Sequence, residues 1–417
     1  MIRHFIQEKA ALSLSKTSWK TGHLLALSFL LVVLLAEFVF MSSAPELVDE
    51  GANWKQIVIF LNRELGIKPG LNVLPGYHAL IALVLIIFQK TGIYSARFVT
   101  TWISFASVIV FYLLTWKLYS RPSLVKTFQY AFFPLFFPFF PLLYTDVLAM
   151  MLVLLAFYLV LWERYTLSGI VALLSMLVRT NNIAWFVFLL VYIYYRNYGF
   201  NWRTFPQSLK QTWFYWLGLG LFMVFVVVNQ GIALTDHDMQ PLESLHTGNI
   251  FYLLFLFAFL FLPLNLANIS DIVRIGREKL WVVPAGLAAY LLYLLTFQST
   301  HPYNHTHPDY FLRNQLLITV SSSVGLKSAF FLPVAWSLLS LGVTRLRQRD
   351  FYWLYPFTAL SLLPIWLIEP RYSFVPLSLF ILFREERSSL LDGLTIALYF
   401  LVSLLLLPPL RSELFFI

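Results

Sequence analysis

The carboxylates and histidines of this sequence fall into a few short stretches between long apolar runs. Asp49 and Glu50 follow the first apolar run, and Asp146 opens a later one. Two more polar stretches lie at residues 236–238 and 301–313. A carboxylate held in a cavity can act as a general base, and arginine or protonated histidine can bind an anion. These residue types therefore indicate proton transfer beside an anionic group, at the surface of an apolar scaffold.

The composition defines the class of protein. Of the 417 residues, 59% are hydrophobic and only 12% are charged, more apolar surface than a soluble core can bury, so we expect a polytopic membrane protein. No linker or repeat divides the chain, which predicts one integral membrane domain over residues 1–417. The net charge of +9 is explained by basic cytoplasmic loops, and no nucleic-acid partner is expected. The absence of cysteine removes disulfides and thiolate metal sites.

The distribution of basic residues predicts the topology. We expect an uncleaved first span, His23 to Met41, with a cytoplasmic N-terminus; a cleaved signal peptide is the alternative. Residues 72–90 are interrupted by Pro75-Gly76 and are predicted to form a juxtamembrane hairpin, so residues 42–96 become the first extracytoplasmic loop. The later crossings are then roughly 97–117, 128–143, 146–162, 166–178, 183–195, 213–232, 249–268, 281–297, 328–343, 351–367, 372–383 and 391–408. Most of the 29 basic residues then face the cytoplasm. The fold class is all-α, with about 12–14 transmembrane helices and extracytoplasmic juxtamembrane helices.

The first two acidic motifs each allow two interpretations. The apolar spacing after Asp49-Glu50 predicts an amphipathic helix in the membrane interface. Either carboxylate could be a general base at the lip of a cavity, or the pair could cap that helix. Asp146 follows a run of prolines that would loosen the preceding helix. It too is either an N-cap or a member of a site shared with Asp49.

The later motifs are basic and rich in histidine. The segment from His301 to Asp309 has the composition of a metal-binding tract, although its prolines disfavour regular ligand geometry. The alternative is a loop that contacts phosphate and sugar, in which Arg313 donates hydrogen bonds to the anion. The Glu369-Pro370-Arg371 motif is either a structural ion pair or a means of presenting Arg371 to a lipid phosphate. A break at Arg179, between two spans of about half the usual length, predicts a cavity at that depth.

The order of these motifs resembles a known family. The motifs are Asp49-Glu50, Pro75-Gly76-Tyr77, Tyr144-Thr145-Asp146, Arg179-Thr180-Asn181-Asn182-Ile183-Ala184-Trp185, His301-Pro302-Tyr303 and Glu369-Pro370-Arg371-Tyr372. The chain resembles the dolichyl-phosphate-glucose-dependent alpha-1,2-glucosyltransferases, which add the terminal glucose to the lipid-linked oligosaccharide of N-glycosylation. More broadly it is similar to the GT-C superfamily of multi-span glycosyltransferases that use polyprenyl-phosphate sugars.

This resemblance implies a reaction and a set of roles. It implies inverting transfer of a hexose, glucose in that family, from a polyprenyl or dolichyl phosphate to a lipid-linked oligosaccharide. Asp49 or Glu50 would be the catalytic carboxylate, and Asp146 would lie near the acceptor or the base. Arg371, Arg313 and His301 are candidates for binding the donor phosphate, so a metal cofactor is not required. Further candidates for substrate binding are Tyr77, His78, Arg179, Asn181, Asn182, Asp236, His237 and Glu369.

Location and competing functions follow from the same reasoning. The active site would face the lumen of the endoplasmic reticulum in a eukaryote, or the outer face of the plasma membrane in a bacterium. A transporter or flippase of a polyprenyl-linked glycolipid is the alternative, and it would place paired ionisable residues at mid-depth. A non-catalytic membrane scaffold would tolerate alanine at Asp49, Glu50 and Asp146.

Overall fold

Helices account for nearly all regular structure of the protein. The structure is a computed structural model that describes residues 2–119, 123–235 and 245–417, with side chains from residue 21 onward. These ranges contain no β-strand, only two isolated bridges. Their α-helices are α1 Ile2–Met41, α2 Glu50–Leu61, α3 Gly76–Ile87, α4 Ile93–Leu118, α5 Leu124–Ala131, α6 Thr145–Leu161, α7 Tyr165–Val178, α8 Ile183–Tyr198, α9 Phe205–Gln211, α10 Trp213–Asn229, α11 Gly248–Leu260, α12 Leu262–Ala267, α13 Ile269–Glu278, α14 Val282–Thr296, α15 Leu312–Ser321, α16 Val324–Val343, α17 Leu354–Leu362, α18 Phe374–Phe383 and α19 Ser389–Arg411. The predicted all-α fold is confirmed.

Several helices are long and apolar enough to cross a membrane. Four of those described meet that test, namely Thr21–Met41 of α1, α4, α16 and α19. Two bent pairs, which end in α10 and α14, raise the number to six. Other apolar helices have only 10–17 residues, shorter than the roughly 20 that a straight crossing needs. The protein is therefore a multi-pass membrane protein, and the expected 12–14 crossings stay a prediction.

Polar contacts form two layers at opposite ends of the helices. The upper polar layer includes Asp49, Asp146 and Glu369, which are joined through Arg371. The lower polar layer includes Lys126, whose ammonium donates to the Arg384 carbonyl. Successive segments end alternately in the two layers. Contacts between segment ends in the upper polar layer are Arg179–Asp146, His246–Leu363 and Arg411–Ser43. Those in the lower polar layer are Lys117–Trp162, Asn268–Thr344 and Arg347–Phe383. This alternation supports the predicted order of crossings.

One predicted crossing, residues 128–143, is not a continuous helix. Helix α5 ends at Ala131, and an irregular backbone with one 3-10 turn continues to Tyr144. The prolines in this stretch lack the N–H that a helix needs. The stretch is buried throughout, and hydroxyls of neighbouring helices reach its carbonyls, from Ser403 to Phe132 at 2.9 Å and from Ser104 to Phe140 at 2.8 Å. Such a break is stable at membrane depth because protein surrounds it.

The first loop contains two short helices beside the bundle. The amphipathic helix predicted after Asp49 is α2. Helix α3 has 12 residues and is about 18 Å long, shorter than the roughly 20 residues of a straight crossing. It approaches α7 so closely that a Cβ at Gly76 would lie 2.6 Å from the Leu177 carbonyl oxygen. Glycine is therefore required at this contact, and the loop is packed against the helices that carry the upper polar layer.

Candidate functional site

The upper polar layer encloses a cavity of about 540 Å³. Its wall comes from loops that are far apart in sequence, which meet because their helices end in the same layer. The polar side chains that line it are Asp49, Asn53, Asn72, Tyr144, Thr145, Arg179, Asn181, His301, Tyr303, Thr306, His307, Arg313, Ser361, Trp366, Glu369, Arg371 and Tyr372. Seven of the twelve predicted site residues that the structure describes are therefore brought together in one wall.

Asp49 presents the most accessible carboxylate of the ion-pair network in this wall. Its side chain is 48% exposed, and its Oδ2 lies 2.8 Å from Nη1 of Arg371. The backbone N–H of Asp49 donates to the Tyr144 hydroxyl, which in turn donates to the Leu47 carbonyl. The residue precedes α2 but makes no capping hydrogen bond with its side chain. The geometry thus leaves this carboxylate open to the cavity and held from behind by its backbone.

Glu50 has a different environment, although it is the next residue. It is completely buried and does not line the cavity. Its carboxylate accepts hydrogen bonds from Arg97 at 3.0 and 2.7 Å and from the backbone N–H groups of Leu47 and Leu143. All of these partners belong to the protein scaffold. Neither side chain caps α2, because Asp49 makes no capping hydrogen bond and the partners of Glu50 lie outside that helix. Glu50 instead has a structural role as the partner of Arg97.

Asp146 lies in the first turn of α6, directly behind the cavity wall. The N-cap residue of α6 is Tyr144, so the interpretation of Asp146 as an N-cap is wrong. Its Oδ1 is instead paired with Arg179, and its Oδ2 lies 3.8 Å from Nη1 of Arg371. A side pocket of about 40 Å³ lies against Asp146, Arg179 and Asn182. Asp146 therefore shares one ion-pair network with Asp49, as a common site requires.

Glu369 connects two arginines of the same network. Its Oε1 lies 2.6 Å from Arg371 and 3.3 Å from Arg313. Burial raises the pKa of the Glu369 carboxyl, but the guanidiniums of Arg371 and Arg313 together lower it by more. The resulting pKa therefore lies below its ordinary value. Burial likewise lowers the pKa of Arg371, while Glu369 and Asp49 raise it well above the ordinary value. Glu369 and Arg371 therefore form a charged pair at neutral pH.

The histidine-rich segment forms part of the cavity wall. The Nδ1 atom of His301 accepts a hydrogen bond from the Tyr303 N–H at 3.1 Å, which leaves Nε2 as the nitrogen that carries a proton in the neutral ring. The imidazole packs edge-on against Trp366, with centroids 4.7 Å apart. Within the described parts of the chain, no three His, Asp or Glu side chains are grouped closely enough to hold a metal ion. The local donor set suits an anion or a polar sugar.

Three predicted substrate-binding residues lie behind the wall of the main cavity. Tyr77 is buried with its hydroxyl 2.8 Å from Thr100, and His78 is buried with Nε2 2.9 Å from the Asn53 side chain. Asn182 donates to helix carbonyls at 3.4–3.5 Å and reaches only the side pocket. These three residues do not face the main cavity and contribute to it indirectly. His78, for example, contacts Asn53, which lines the cavity. Asp236 and His237 lie outside the described residues.

Two supporting residues were not predicted. Arg97 is fully buried beside Glu50, and Asn53 joins His78 to the Leu143 carbonyl. Arg97 could have been noticed as a lone cation at the start of the apolar run of α4, since an unpaired charge there is costly. The sequence contains no comparable signal for Asn53, because its partners are remote.

The fold and the site define a polytopic all-α membrane protein with a carboxylate–guanidinium cavity at one end of its helices. The chain belongs to the DIE2/ALG10 family, whose model matches residues 65–205 and 194–382. The predicted family resemblance is confirmed. The match begins after Asp49 and Glu50, so the interpretation of these two residues rests on the geometry.

Two curated fungal relatives carry the name Dol-P-Glc:Glc(2)Man(9)GlcNAc(2)-PP-Dol alpha-1,2-glucosyltransferase. The protein from Candida albicans is 27% identical over 283 residues, which are 62% of each chain. The protein from Debaryomyces hansenii is 23% identical over 301 residues, 63% of this chain and 64% of the relative. The chain thus spans less than two thirds of the length of these relatives. No solved structure matches it.

Proposed function

We propose that this protein transfers glucose from dolichyl phosphate glucose to a lipid-linked oligosaccharide, with an alpha-1,2 linkage. The names of the two relatives support this donor, acceptor and linkage. The observation that carries the proposal is the half-exposed carboxylate of Asp49, which faces the cavity 2.8 Å from Arg371. A base and an anion-binding group are thereby adjacent, as transfer from a phosphate donor needs.

In the proposed reaction Asp49 is the general base. It takes the proton of the acceptor hydroxyl while that oxygen bonds to the anomeric carbon of glucose. The bond between the anomeric carbon and the phosphate oxygen breaks on the opposite face, and dolichyl phosphate leaves with the electron pair. The configuration is inverted, and the transition state has oxocarbenium character, as in glycosidases. A second carboxylate as nucleophile is not needed.

The leaving phosphate gains negative charge as the bond breaks, so the site must supply cationic donors. Arg371 and Arg313 line the cavity and share the Glu369 carboxylate. Arg179 lines it as well, beside Asp146. Paired carboxylates hold these guanidiniums in place before the donor arrives. We propose that they bind the phosphate without a metal ion.

The proposed setting is the membrane of the endoplasmic reticulum, with the cavity on the lumenal side. The family relationship supports this location, since both relatives are fungal proteins named for dolichol-linked substrates. The partners are then the lipid donor, the lipid-linked acceptor and the surrounding membrane lipids. Of the residues that line the cavity, His301 is proposed to contact the donor phosphate and Asn181 the sugars.

The test is transfer by the purified protein in lipid, from radiolabelled dolichyl phosphate glucose to a lipid-linked oligosaccharide, with and without EDTA. Wild type is expected to transfer label in both conditions, and Asp49→Asn to lose at least 100-fold in rate, the lower range for a general base. Asp309→Asn is the matched control, because Asp309 is an exposed aspartate outside the cavity wall. Absence of transfer by wild type, or full activity of Asp49→Asn, would contradict the proposal. Movement of the glycolipid across vesicles without transfer would favour a flippase instead.

A further inference from the structure

The guanidinium group of Arg97 donates hydrogen bonds to several backbone carbonyls at the start of the first loop. It is completely buried in α4. Its Nη1 contacts the carbonyls of Met41, Ser42 and Ala44 at 2.8–3.3 Å, and its Nη2 contacts that of Pro45 at 2.8 Å. The end of α1 and the start of the loop are therefore fixed to α4 by one side chain.

The remaining donors of Arg97 go to Glu50. Its Nε lies 3.0 Å from Oε1 and its Nη2 lies 2.7 Å from Oε2, a two-point ion pair between buried groups. Both carboxylate oxygens accept a second hydrogen bond, Oε2 from the Leu47 N–H and Oε1 from the Leu143 N–H. The pair consequently joins the loop before α2 to the loop before α6.

Asp49 lies between these anchored points. Leu47 and Glu50 are held on either side of it, and Tyr144, which follows the anchored Leu143, accepts its backbone N–H. No bond from this anchor reaches the Asp49 side chain, which remains free to face Arg371.

We propose that Arg97 and Glu50 form a positioning pair that sets the Asp49 carboxylate against the cavity, without contacting substrate. This rests on the proposed function, in which Asp49 is the base. A displacement of about 1 Å in a reacting group can cost about 100-fold in rate. Lysine at position 97 would keep the charge but lose the planar fork that meets six acceptors. Aspartate at position 50 would keep the charge and shorten the reach.

The test compares steady-state transfer by Arg97→Lys and Glu50→Asp with wild type, with rates normalised to folded protein by size-exclusion chromatography. We expect kcat to fall about 10- to 100-fold while the KM for the donor stays within about twofold, because the phosphate-binding arginines are untouched. If Arg97→Lys does not fold, Glu50→Asp provides the same comparison. Arg384→Lys is the matched control: Arg384 is also buried and paired with a carboxylate, Asp392, but lies in the lower polar layer. It is expected to lower thermal stability without changing kcat per folded molecule.

The outcomes distinguish a failure of the positioning role from a failure of the glucosyltransferase proposal. An active wild type with unchanged kcat in both folded variants would overturn the positioning role and leave the glucosyltransferase proposal standing. Equal losses of kcat in Arg384→Lys and Arg97→Lys would also overturn it, because a general loss of stability would then explain both. A wild type that transfers no glucose would overturn both proposals together.

Discussion

Asp49 and Arg371 form an ion pair of 2.8 Å although one belongs to the first loop of the chain and the other to the segment between α17 and α18. This contact brings the candidate base, Asp49, and the candidate phosphate-binding residue, Arg371, into one site. Arg371 also contacts Glu369 and lies 3.8 Å from Asp146, so its position is fixed from three sides. The carboxylate of Asp49 is the member of this network that a substrate hydroxyl can approach most directly.

Lengthening the base by one methylene is expected to impair transfer without harming the fold. Asp49→Glu should lose about 100-fold in kcat, because the carboxylate is displaced by more than 1 Å. Its melting temperature should stay close to that of wild type, since the side chain is 48% exposed and glutamate keeps the negative charge beside Arg371. Transfer assays and thermal unfolding in detergent check this. Wild-type activity of Asp49→Glu would contradict the assignment of the base.

Removal of the neighbouring carboxylate should instead destabilise the protein. Glu50→Ala leaves the Arg97 guanidinium buried without its counter-ion, and breaking a buried pair in this way costs about 3–5 kcal/mol. The expected result is a marked fall in the apparent melting temperature measured by tryptophan fluorescence. Exposed Glu64→Ala, in the same loop, should change it little. Equal melting temperatures for the two variants would show that the Glu50 pair is not structural.

Arg371→Lys should weaken donor binding and slow the reaction. Lysine retains a positive charge but cannot contact Asp49 and Glu369 while also offering two parallel donors to a phosphate. We expect the donor KM to rise and kcat/KM to fall by about 10- to 100-fold, the range for loss of one hydrogen bond to a charged group. Titration of donor in the transfer assay measures both constants. An unchanged donor KM and kcat/KM would remove Arg371 from the phosphate site.

The lowered pKa of His78 predicts that the folded protein loses stability in mild acid. Burial lowers the pKa of this imidazole from 6.5 to about 4, so between those values the unfolded chain binds a proton that the folded chain does not. Stability should therefore fall as the pH drops from about 6.5 towards 4, by at most about 3 kcal/mol. The pKa of Glu369 is lowered from 4.5, so its contribution is lost only below about pH 4.5.

The check is the melting temperature of wild type and His78→Gln between pH 7 and pH 4.5. Glutamine does not titrate and can still donate to the Asn53 side chain that His78 contacts. The melting temperature of His78→Gln should decline less steeply over this range. Parallel curves would mean that His78 is protonated in the folded protein or is not responsible for the acid sensitivity.

Much of the site could be predicted because polar residues in an apolar chain are confined to the ends of its spans. Asp49, Asp146, Arg179 and Arg371 all follow or precede long apolar runs, and the bias of basic residues assigns those ends to one side. Alternation of the chain then brings them into one layer. Their convergence on a shared cavity follows from topology, which the sequence encodes strongly.

The different roles of Asp49, which faces the cavity, and Glu50, which is buried against Arg97, could not be predicted. Asp49 and Glu50 have the same charge and adjacent positions, and only the side of the backbone that each faces separates them. That difference depends on Arg97, which is far along the chain and arrives through the packing of α4. The break after Ala131 could be predicted only in part. The prolines indicate a loosened helix, but the apolar composition of residues 128–143 matches that of a continuous span.

The broken stretch before α6 also constrains how this protein is inserted into a membrane. The Phe132 carbonyl receives its hydrogen bond from Ser403, in the last helix of the chain. Lipid offers no replacement for such a donor. A nascent chain that does not yet contain α19 therefore lacks this donor, and the Phe132 carbonyl stays without its Ser403 hydrogen bond until α19 has packed. Termination between Tyr372 and α19 is consequently expected to destabilise the protein, although every residue of the cavity wall has been made.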